Sequence, residues 1–600
     1  MTNPLLAFWQ QLFDTEEDAR GRPRIRMQVD SAHPERATST IFLVLRRMRA
    51  PLIALIVIYA IAVLGLVLIP GQDAEGRPWR MGFFHAFYFM SYTATTIGFG
   101  EIPHAFTDAQ RLWVTFAIYL TVIGWAWAIG TLLALSQDRG FRQALAIGRF
   151  VRRVRALPEP FVLIAGYGQT GRRLARSLDA LGRRIVVVDI AQEPIDELAL
   201  ESFRADVPGL VADARSPQTL LLAGLAHERC EAAIALTNDD EANLAMAMTG
   251  ALLRPELLLI ARTVSRPVAE RMRAFGATEV INPFDLFGDY VRVALRAPAS
   301  FRLIEWLTGV PGSTLPRRRE PPRGRWIVCG FGRFGREITA DLRAEGLEVT
   351  VIEPAATAAD DPGIINGHGT EPAVLAQAKL ETAVGLVAAT ANDVTNLSLI
   401  AAARAINPGL FLIGRQNDAA NVPLFRAIGV DFALIPSRVI AQEVLARITS
   451  PLLFRFLAMV PAQGEARSAA LVARLAERCG EEVPALWRVR LAADTAPALA
   501  RWLAEGRRLA LGDLLRDPND RASPVAAVPL LVVRGDASSA FAPVDDTPLA
   551  AGDEILLAGV PAARRALDAV CHSDPTRDYV LLGRDAPSGS IWRWIERAPG

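Results

Sequence analysis

Two long apolar runs without a charged side chain constrain this chain more than any other feature of its sequence. The runs cover residues 51–69 and 112–135. Each is long enough to cross the hydrocarbon core of a bilayer, about 30 Å thick, as an α-helix. A helix buried in a soluble core rarely stays uncharged on every face over such a length. The sequence therefore predicts two membrane spans.

Arginines flank the two runs unequally. Three lie directly before the first run and six follow the second within 20 residues, whereas the connecting segment carries three. The positive-inside rule then predicts that both termini lie in the cytoplasm and the connection lies outside. We expect a multi-pass protein of the cell (inner) membrane, with the lipid bilayer as its surroundings.

Charge and cysteine content exclude several other classes. The 65 basic and 64 acidic residues give a net charge of +1, which argues against a nucleic-acid partner. The four cysteines lie far apart and lack metal-ligand spacing, which argues against a disulfide scaffold or a zinc module.

The segment between the spans carries an aromatic run and a glycine-bearing loop. Residues 82–94 (GFFHAFYFMSYTA) are too few to span a bilayer and predict a re-entrant half-helix, which leads into TTIGFGE at 95–101. Non-helical backbone at membrane depth is tolerated only where protein buries it or where it lines a water-filled path. Glycines at alternate positions let successive carbonyls turn toward one axis. Four copies would stack rings of oxygens that replace the water around a dehydrated cation.

The order of span, half-helix, TTIGFGE and span resembles a two-transmembrane potassium channel, whose usual filter is Thr-Val-Gly-Tyr-Gly-Asp. The resemblance implies K+ as the permeant ion, bound at Thr96, Ile97, Gly98 and Phe99. It implies a selectivity filter made of Thr96, Ile97, Gly98, Phe99 and Gly100. Phe99 replaces the usual Tyr and lacks its bracing hydroxyl, so a non-selective cation channel is the alternative.

Two further pore residues follow from the same resemblance. Glu101 stands where the family has Asp and is expected at the outer mouth, where four carboxylates would concentrate cations. Gly124, in the second apolar run, is expected to be the gating hinge that opens the inner mouth. Close helix packing by a small residue is an equally good interpretation of Gly124.

The rest of the chain contains one pattern twice. A predicted strand, a glycine-rich turn, a helix and a second strand ending in an acidic residue begin at Phe161 and again at Arg325. Gly330 follows Gly166 by 164 positions, and a later match pairs Arg262 with Arg415. Such self-similarity indicates two related nucleotide-fold units in tandem.

Each unit carries the GxGxxG pattern and a strand-end acid. The first glycine makes a tight turn, the second lets phosphate approach the backbone, and the third lets the helix pack closely. The acid accepts hydrogen bonds from ribose hydroxyls. The first copy has Gly166, Gly168, Gly171 and Asp189, and the second has Gly330, Gly332, Gly335 and Glu353.

The pair resembles the RCK domains, also called TrkA-N domains, that regulate potassium channels and transporters. The resemblance adds Asp213, Thr237 and Arg262 to the first nucleotide site and Arg415 to the second. His368 replaces the second copy's equivalent of Asp213, so we favour nucleotide binding in the first copy. NAD(H) or an adenine nucleotide is the expected regulatory ligand, and RCK relatives also use divalent cations. The resemblance further implies a homotetramer with eight RCK domains in a ring.

The predicted fold class is a membrane α-helical pore (two spans plus a re-entrant pore helix), followed by tandem α/β Rossmann-like RCK domains and a small α+β C-terminal subdomain. The predicted boundaries are an N-terminal cytoplasmic segment at 1–45, the pore domain at 46–138, a connector at 139–160, the first RCK domain with its helical crossover at 161–310, a linker at 311–324, the second RCK domain with its crossover at 325–465, the C-terminal subdomain at 466–562 and a tail at 563–600.

An enzyme is the competing class, in the form of a membrane-anchored NAD-dependent oxidoreductase. The sequence shows no Ser/His, Cys/His or metal constellation beside either glycine turn, and no substrate domain. We therefore expect no enzymatic activity. The expected function is a potassium-selective channel gated by a ligand, most readily a nucleotide, that binds the cytoplasmic ring.

Overall fold

The computed structural model describes residues 14–17, 23–26, 35–100, 102–277, 279–309, 311–314, 319–355 and 363–584. Glu101 and the end of the chain past residue 584 lie outside the described residues. Near the N-terminus, β1 (Asp14–Glu17) pairs antiparallel with β2 (Pro23–Arg26).

The membrane portion consists of two long helices with a short one between them. They are α1 (Glu35–Leu68), α2 (Phe83–Ala94) and α3 (Asp108–Gln137). The segments apolar enough to span a membrane are Met48–Leu68 and Asp108–Leu135, which confirms the two predicted spans. Helix α1 begins well before the predicted start of the pore domain at 46. A small hairpin of β3 (Gly71–Gln72) and β4 (Pro78–Trp79) follows the first span.

Close contact between the two spans depends on small residues. The Trp113 ring of α3 lies directly over Gly65 of α1, where any Cβ would overlap it. The Trp113 indole N–H donates to the Ala62 carbonyl at 3.0 Å. Where lipid supplies no hydrophobic drive between helices, such backbone proximity is the main way to hold two spans together.

A basic helix, α4 (Arg139–Arg155), joins the second span to the first nucleotide-fold unit. Only Asp138 separates it from α3, and the Asp138 carboxylate caps it by accepting from the Phe141 N–H at 2.9 Å. Its Phe150 and Val154 are buried in the same core cluster as Phe161 of the first unit. The connector is therefore anchored to that unit.

The first unit is a six-stranded parallel sheet in the order β10-β9-β8-β5-β6-β7. Its strands are β5 (Phe161–Ala165), β6 (Arg184–Asp189), β7 (Gly209–Val211), β8 (Cys230–Ala235), β9 (Leu258–Arg262) and β10 (Glu279–Ile281). Its helices are α5 (Gln169–Ala180), α6 (Gln192–Leu200), α7 (Pro217–Leu222), α8 (Asp240–Leu253) and α9 (Arg266–Ala274). The crossover after it consists of α10 (Pro283–Arg296) and α11 (Pro298–Thr308).

The second unit repeats this topology, with a parallel sheet in the order β13-β12-β11-β14-β15-β16. Its strands are β11 (Arg325–Cys329), β12 (Glu348–Ile352), β13 (Ile364–Ile365), β14 (Gly385–Ala388), β15 (Phe411–Arg415) and β16 (Phe432–Leu434). Its helices are α12 (Arg333–Ala344), α13 (Pro372–Gln377), α14 (Asp393–Ile406) and α15 (Val422–Ala427), and short 3-10 turns lie at Leu380–Thr382 and Ala419–Asn421. Its crossover consists of α16 (Pro436–Thr449) and α17 (Pro451–Gln463).

Each crossover packs on the opposite unit. Phe287 and Val291 of α10 share a core cluster with Phe334 and Ile338 of α12 in the second unit. In return, α16 buries Ile440, Ala441 and Val444 against Leu174 and Leu178 of α5 in the first unit. This exchange explains the apolar face of α16. Helix α17, bent by 116° relative to α16, instead buries Leu453 and Phe456 in a cluster with Leu303 of α11 and with Leu471 and Leu530 further along the chain.

The C-terminal subdomain is an antiparallel sheet covered by helices. The strands are β17 (Ala485–Arg490), β18 (Ala527–Val533), β19 (Ser539–Phe541) and β20 (Glu554–Gly559), in the order β17-β20-β18-β19. The helices are α18 (Glu465–Cys479), α19 (Pro497–Ala504), α20 (Leu511–Leu514), α21 (Pro561–His572) and α22 (Asp574–Leu582). The predicted fold class is thus confirmed.

One predicted boundary differs from the structure. The subdomain does not end at 562, because α21 and α22 bury Leu567 and Val580 in the same core as Trp502. The predicted linker is anchored at its start, where the Gly312 N–H donates to the Val483 carbonyl at 2.8 Å. Apolar side chains of α21 and α22 and the backbone N–H of Gly312 thus contact the C-terminal subdomain.

The interface between the two units contains a buried carboxylate with an unusual environment. Asp341 of α12 is 8% exposed, and its Oδ2 lacks a hydrogen-bond partner and abuts Gly288 of α10. Burial raises the pKa of Asp341 to about 6, against the opposing charge of Arg292, whose Nη1 lies 3.9 Å from Oδ1. Ionisation of Asp341 therefore lowers the free energy of unfolding.

We expect Asp341→Asn to stabilise the protein near neutral pH. Because the pKa of Asp341 is higher in the folded state, the free energy of unfolding falls as pH rises from about 4 to about 6. The loss at neutral pH is about 1–3 kcal/mol. The amide keeps the shape and carries no charge. Thermal unfolding of wild type and variant should therefore diverge as pH rises through that window. A constant difference at all pH values, or one no larger than that of exposed Asp568→Asn, would contradict this account.

Candidate pore and nucleotide sites

The pore loop folds back on the end of its helix. The Tyr92 carbonyl, in the last turn of α2, accepts from the N–H groups of Ile97 at 2.9 Å and Gly98 at 3.2 Å. The Thr95 hydroxyl donates to the Ser91 carbonyl at 2.7 Å. These bonds hold the loop at the carboxyl end of α2, where the helix dipole favours a cation.

Alternate residues of the loop adopt left-handed backbone conformations. The φ angles of Thr96, Gly98 and Gly100 are +61°, +66° and +72°. Glycine takes this region freely, but a side chain costs about 1–2 kcal/mol there. The strained Thr96 is held by its own N–H, which donates to the Thr93 carbonyl at 3.0 Å. Strain of this kind, retained by surrounding bonds, is typical of functional loops.

Phe99 contacts the pore helix through its ring alone. Its centroid lies 6.0 Å from that of Tyr92 in an edge-to-face arrangement. The Phe99 side chain is 69% exposed in the single chain, and a Cβ on Gly98 or Gly100 would meet nothing within 4 Å. One side of the loop is therefore open to further copies of the chain or to solvent.

Gly124 lies against the first span. A Cβ at this position would come within 2.7 Å of Ile58 Cδ1 and 3.3 Å of Leu55 Cδ2. Helix α3 continues unbroken through this position. In this conformation Gly124 serves helix packing, and its role as a hinge stays a prediction.

Both nucleotide-fold units form the tight turn expected after the central strand. Gly166 follows β5 with a φ of +98°, and Gly330 follows β11 with a φ of +101°. A Cβ on Gly166 would lie 2.8 Å from the Thr237 nitrogen, and one on Gly330 would lie 3.1 Å from the Thr390 nitrogen. Only glycine satisfies both demands.

The other two glycines of each motif differ in surroundings. Gly171 and Gly335 press against the carbonyls of Gly166 and Gly330, leaving no room for a side chain. Gly168 and Gly332, in contrast, face open space within 4 Å. This is the arrangement that lets a phosphate approach the start of a helix.

The strand-end acids hold the turns in the same way in both units. Asp189 Oδ2 accepts from the Tyr167 N–H at 2.6 Å, and Glu353 Oε2 accepts from the Phe331 N–H at 2.7 Å. In the first sheet, β6 and β8 lie on opposite sides of the central strand β5. In the second sheet, β12 and β14 lie on opposite sides of β11. The crevice between the two flanking strands therefore opens at the glycine turn that follows the central strand. A ribose is expected in this crevice.

Asp213 lines the first cavity but is already paired. Arg215 Nη2 lies 2.8 Å from Asp213 Oδ2, and the Arg215 N–H donates to Oδ1 at 2.9 Å. These hydrogen bonds lower the pKa of Asp213 below its usual range. In the second copy His368 occupies the corresponding wall.

A buried asparagine in each unit was not singled out from the sequence. Asn243 Oδ1 accepts from the Thr237 N–H at 3.0 Å, and Asn243 Nδ2 donates to the Thr237 and Arg262 carbonyls at 3.0 and 2.9 Å. Asn396 makes the equivalent bonds to Thr390 and Arg415. Each amide ties together two loops at the crevice. The same spacing of Asn to Arg in both copies, 19 residues, is the signal that could have revealed it.

The two predicted arginines are half-buried and bonded to neutral groups. Arg262 Nη1 donates to Asn238 Oδ1 at 2.7 Å and weakly to the Thr237 carbonyl at 3.4 Å. Arg415 Nε donates to Asn417 Oδ1 at 2.8 Å, and its guanidinium lies 5.1 Å from the centroid of the Phe284 ring. Burial lowers the pKa of both arginines.

Two cavities lie at these crevices. The first, about 800 Å³, brings together Gly168, Asp189 and Thr237 of the first unit. It is completed by the second unit through Asn417 and through Ser437, at the start of α16. The second cavity, about 600 Å³, contains Gly332, Glu353 and His368. Within the described ranges, no group of three or more His, Cys, Asp or Glu side chains is arranged to hold a metal ion.

Comparisons with protein families agree with this division of the chain. The ion channel family matches residues 52–137, and the TrkA-N domain family matches residues 162–283 and 326–436. The chain is thus a membrane protein that joins an ion-channel domain to two TrkA-N domains. This confirms the resemblance seen in the sequence.

Curated relatives cover parts of the chain. An uncharacterized protein of Methanothermus fervidus is 26% identical over 41% of this chain and 38% of its own length. Potassium channel protein 1 of Methanocaldococcus jannaschii is 24% identical over 36% of this chain and 62% of its own length. A Trk system potassium uptake protein TrkA homolog of Methanothermobacter thermautotrophicus is 31% identical over 21% of this chain and 60% of its own length. The chain therefore spans less than two thirds of these relatives.

Among solved structures, the GsuK channel bound to NAD is 19% identical and covers 88% of this chain and 99% of its own, with a TM-score of 0.41. The matched pore family and potassium channel protein 1 are channels and the TrkA homolog is a potassium transport protein, in agreement with the prediction that the chain is not an enzyme.

The buried asparagines allow a direct test of how the crevice is held. We expect Asn243→Ala to lower the free energy of unfolding by about 1–3 kcal/mol, because Thr237 and Arg262 would keep buried backbone groups without partners. Thermal unfolding of the purified chain measures this. Gln192→Ala removes an exposed amide that bonds Asp196 and should change stability by less than about 0.5 kcal/mol. Equal effects of the two changes would mean that Asn243 does not hold the loops.

Proposed function

We propose that the chain is a potassium-selective channel whose pore is opened or closed by nucleotide binding to its cytoplasmic TrkA-N domains. The observation that carries the proposal is the alternating left-handed backbone at Thr96, Gly98 and Gly100, at the carboxyl end of α2 and between two spans. Such a backbone turns successive carbonyls to one side. With Ile97 and Phe99, these residues would form the filter that binds dehydrated K+.

The pore would need four chains. One copy of the loop provides one carbonyl per level, and the side of the loop at Gly98 and Gly100 is open in the single chain. A fourfold ring is the closed arrangement that completes the oxygen shell around an ion. Because each chain contributes two TrkA-N units, the assembly would hold eight. Glu101 would lie at the outer mouth, and the flanking arginines favour cytoplasmic termini.

A nucleotide would act through the connector. Helix α4 buries Phe150 and Val154 in the core of the first unit and is separated from α3 by one residue. A ligand that prefers one arrangement of the units would therefore bias the inner end of the second span. NAD(H) and adenine nucleotides both offer the phosphate and ribose groups that the glycine turns, Asp189 and Glu353 suit.

Selectivity can be tested with purified channel in planar bilayers. We expect wild type to pass K+ in preference to Na+, and Gly98→Ala to abolish selective current because alanine is strained at a φ of +66°. Gly130→Ala is a matched control, since a Cβ there meets nothing within 4 Å and the residue is helical. Equal permeability of Na+ and K+ in wild type would contradict selectivity. It would instead support a non-selective cation channel, which the missing hydroxyl of Phe99 favours.

The nucleotide assignment can be tested by calorimetry on the full chain with ADP and with NAD+. A buried carboxylate that accepts from a ribose diol contributes about 1.5–3 kcal/mol per bond, so Asp189→Ala should weaken binding about ten-fold or more. Asp189→Asn keeps the shape and reports on charge. Glu353→Ala should matter less, because His368 replaces the second acid of its cavity. Intact binding in Asp189→Ala together with loss in Glu353→Ala would assign the regulatory site to the second copy.

A further inference from the structure

The two cavities are not separate, because they share a wall. Arg262 from the first unit, Arg415 from the second and Phe284 from the first crossover line both of them. The exchanged crossovers bring β9 and β15 to this wall, and each of these strands ends in one of the two arginines. Any ligand whose anionic group reaches the wall from one side therefore meets the same two guanidinium groups as a ligand on the other side.

The two guanidinium groups carry charge that no neighbouring acid neutralises directly. Within the described part of the chain, neither has a carboxylate oxygen within 4 Å. The carboxylates that act on them from farther away are Asp240 and Asp393, and Arg333 opposes both. Asp393 is occupied elsewhere, since it accepts from Asn417, Asp418 and Asn421. A half-buried cation without an ionic partner is costly, and an incoming anion removes that cost.

Hydrogen-bonding capacity at the wall is also limited. Arg262 Nη1 is taken by Asn238 and the Thr237 carbonyl, and Arg262 Nε is buried without a partner. Arg415 Nε is taken by Asn417. Phosphate binds a guanidinium best through two parallel N–H groups. That leaves one parallel pair of N–H groups on each guanidinium, Nε with Nη2 on Arg262 and Nη1 with Nη2 on Arg415, so the two cavities compete for the charge of the wall rather than for its last donor.

We infer that phosphate-bearing ligands in the two cavities draw on one shared pair, Arg262 and Arg415, so that a nucleotide in one cavity weakens binding in the other. The inference rests on the proposed nucleotide function. A diphosphate carries about as much negative charge as the pair carries positive charge. The second ligand then meets a neutralised wall and the charge of the first ligand, at a buried site where water screens little.

The coupling can be measured by calorimetry of the full chain in lipid nanodiscs, titrated with ADP. Couplings between sites usually change affinity by about five-fold or more. We expect two classes of ADP site per chain, whose affinities differ by at least that factor. Gly168→Val and Gly332→Val each block one cavity with an uncharged group, at ordinary φ angles of −73° and −68°. Blocking either cavity should leave one site, and blocking the stronger should tighten the weaker site by the same factor.

Removing the charge of one arginine at the wall tests whether both cavities use that arginine, which blocking a cavity does not test. Arg415→Gln should weaken ADP in both cavities and reduce the coupling, and Arg262→Gln should do the same. Arg336→Gln is the matched control, because Arg336 contacts Phe331 beside the second glycine turn and lines neither cavity. It should leave both affinities and the coupling unchanged.

Two sites that bind ADP with equal and independent affinity, or a second ADP that binds more tightly than the first, would contradict the shared wall. Neither result would contradict nucleotide binding itself. An effect of Arg415→Gln confined to one cavity would overturn it as well. No binding of ADP, NAD+ or ATP by wild type would overturn the nucleotide proposal itself, and the shared wall with it. Thermal unfolding of each variant distinguishes loss of binding from loss of folding.

Discussion

Burial of each crossover helix on the opposite unit is the interaction from which the rest of the cytoplasmic structure follows. Helix α10 places its aromatic face against α12, and α16 places its aliphatic face against α5. The buried Glu345 carboxylate, which accepts from Arg292 and Arg296, adds ionic contacts to the same interface. Because burial of this extent leaves little freedom between the units, the carboxyl ends of their sheets are held close enough to share a wall.

The pore and the cytoplasmic units solve a related electrostatic problem by opposite means. In the proposed function, backbone carbonyls of the pore loop and the end of α2 would present negative charge to a cation that has lost its water. At the crevices, glycine turns, helix starts and the two arginines would present positive charge to an anion. In both places glycines with positive φ shape the backbone beside the expected ion: Gly98 and Gly100 in the pore loop, and Gly166 and Gly330 in the turns that precede the helix starts.

The sequence was sufficient to predict the spans, the pore helix and the duplication, because uncharged runs and repeated glycine motifs are local signals. It also located the glycine turns, Asp189 and Glu353 correctly at the crevices. It missed Asn243 and Asn396, each of which bonds an arginine carbonyl 19 positions later, and Ser437, which lines the first cavity from the second unit. The contribution of each unit to the other's cavity could not be read from either repeat alone, since it arises from the exchange of α10 and α16. Helices α21 and α22 fall in the predicted tail, because the burial of their apolar residues becomes visible only where they pack on the sheet of the C-terminal subdomain.

The single residue between α3 and α4 has a mechanical consequence. Helix α4 has 17 residues and is about 25 Å long, so it forms a lever that pivots at Asp138. A shift of about 5 Å at its far end, the size of one helical turn, corresponds to a rotation of only about 11° at the membrane face. Because Asp138 alone separates the two helices, a displacement of the first unit would reach the inner end of the second span instead of being absorbed by a flexible tether. Lengthening this joint by a few glycines would disconnect the cytoplasmic units from the pore without altering either.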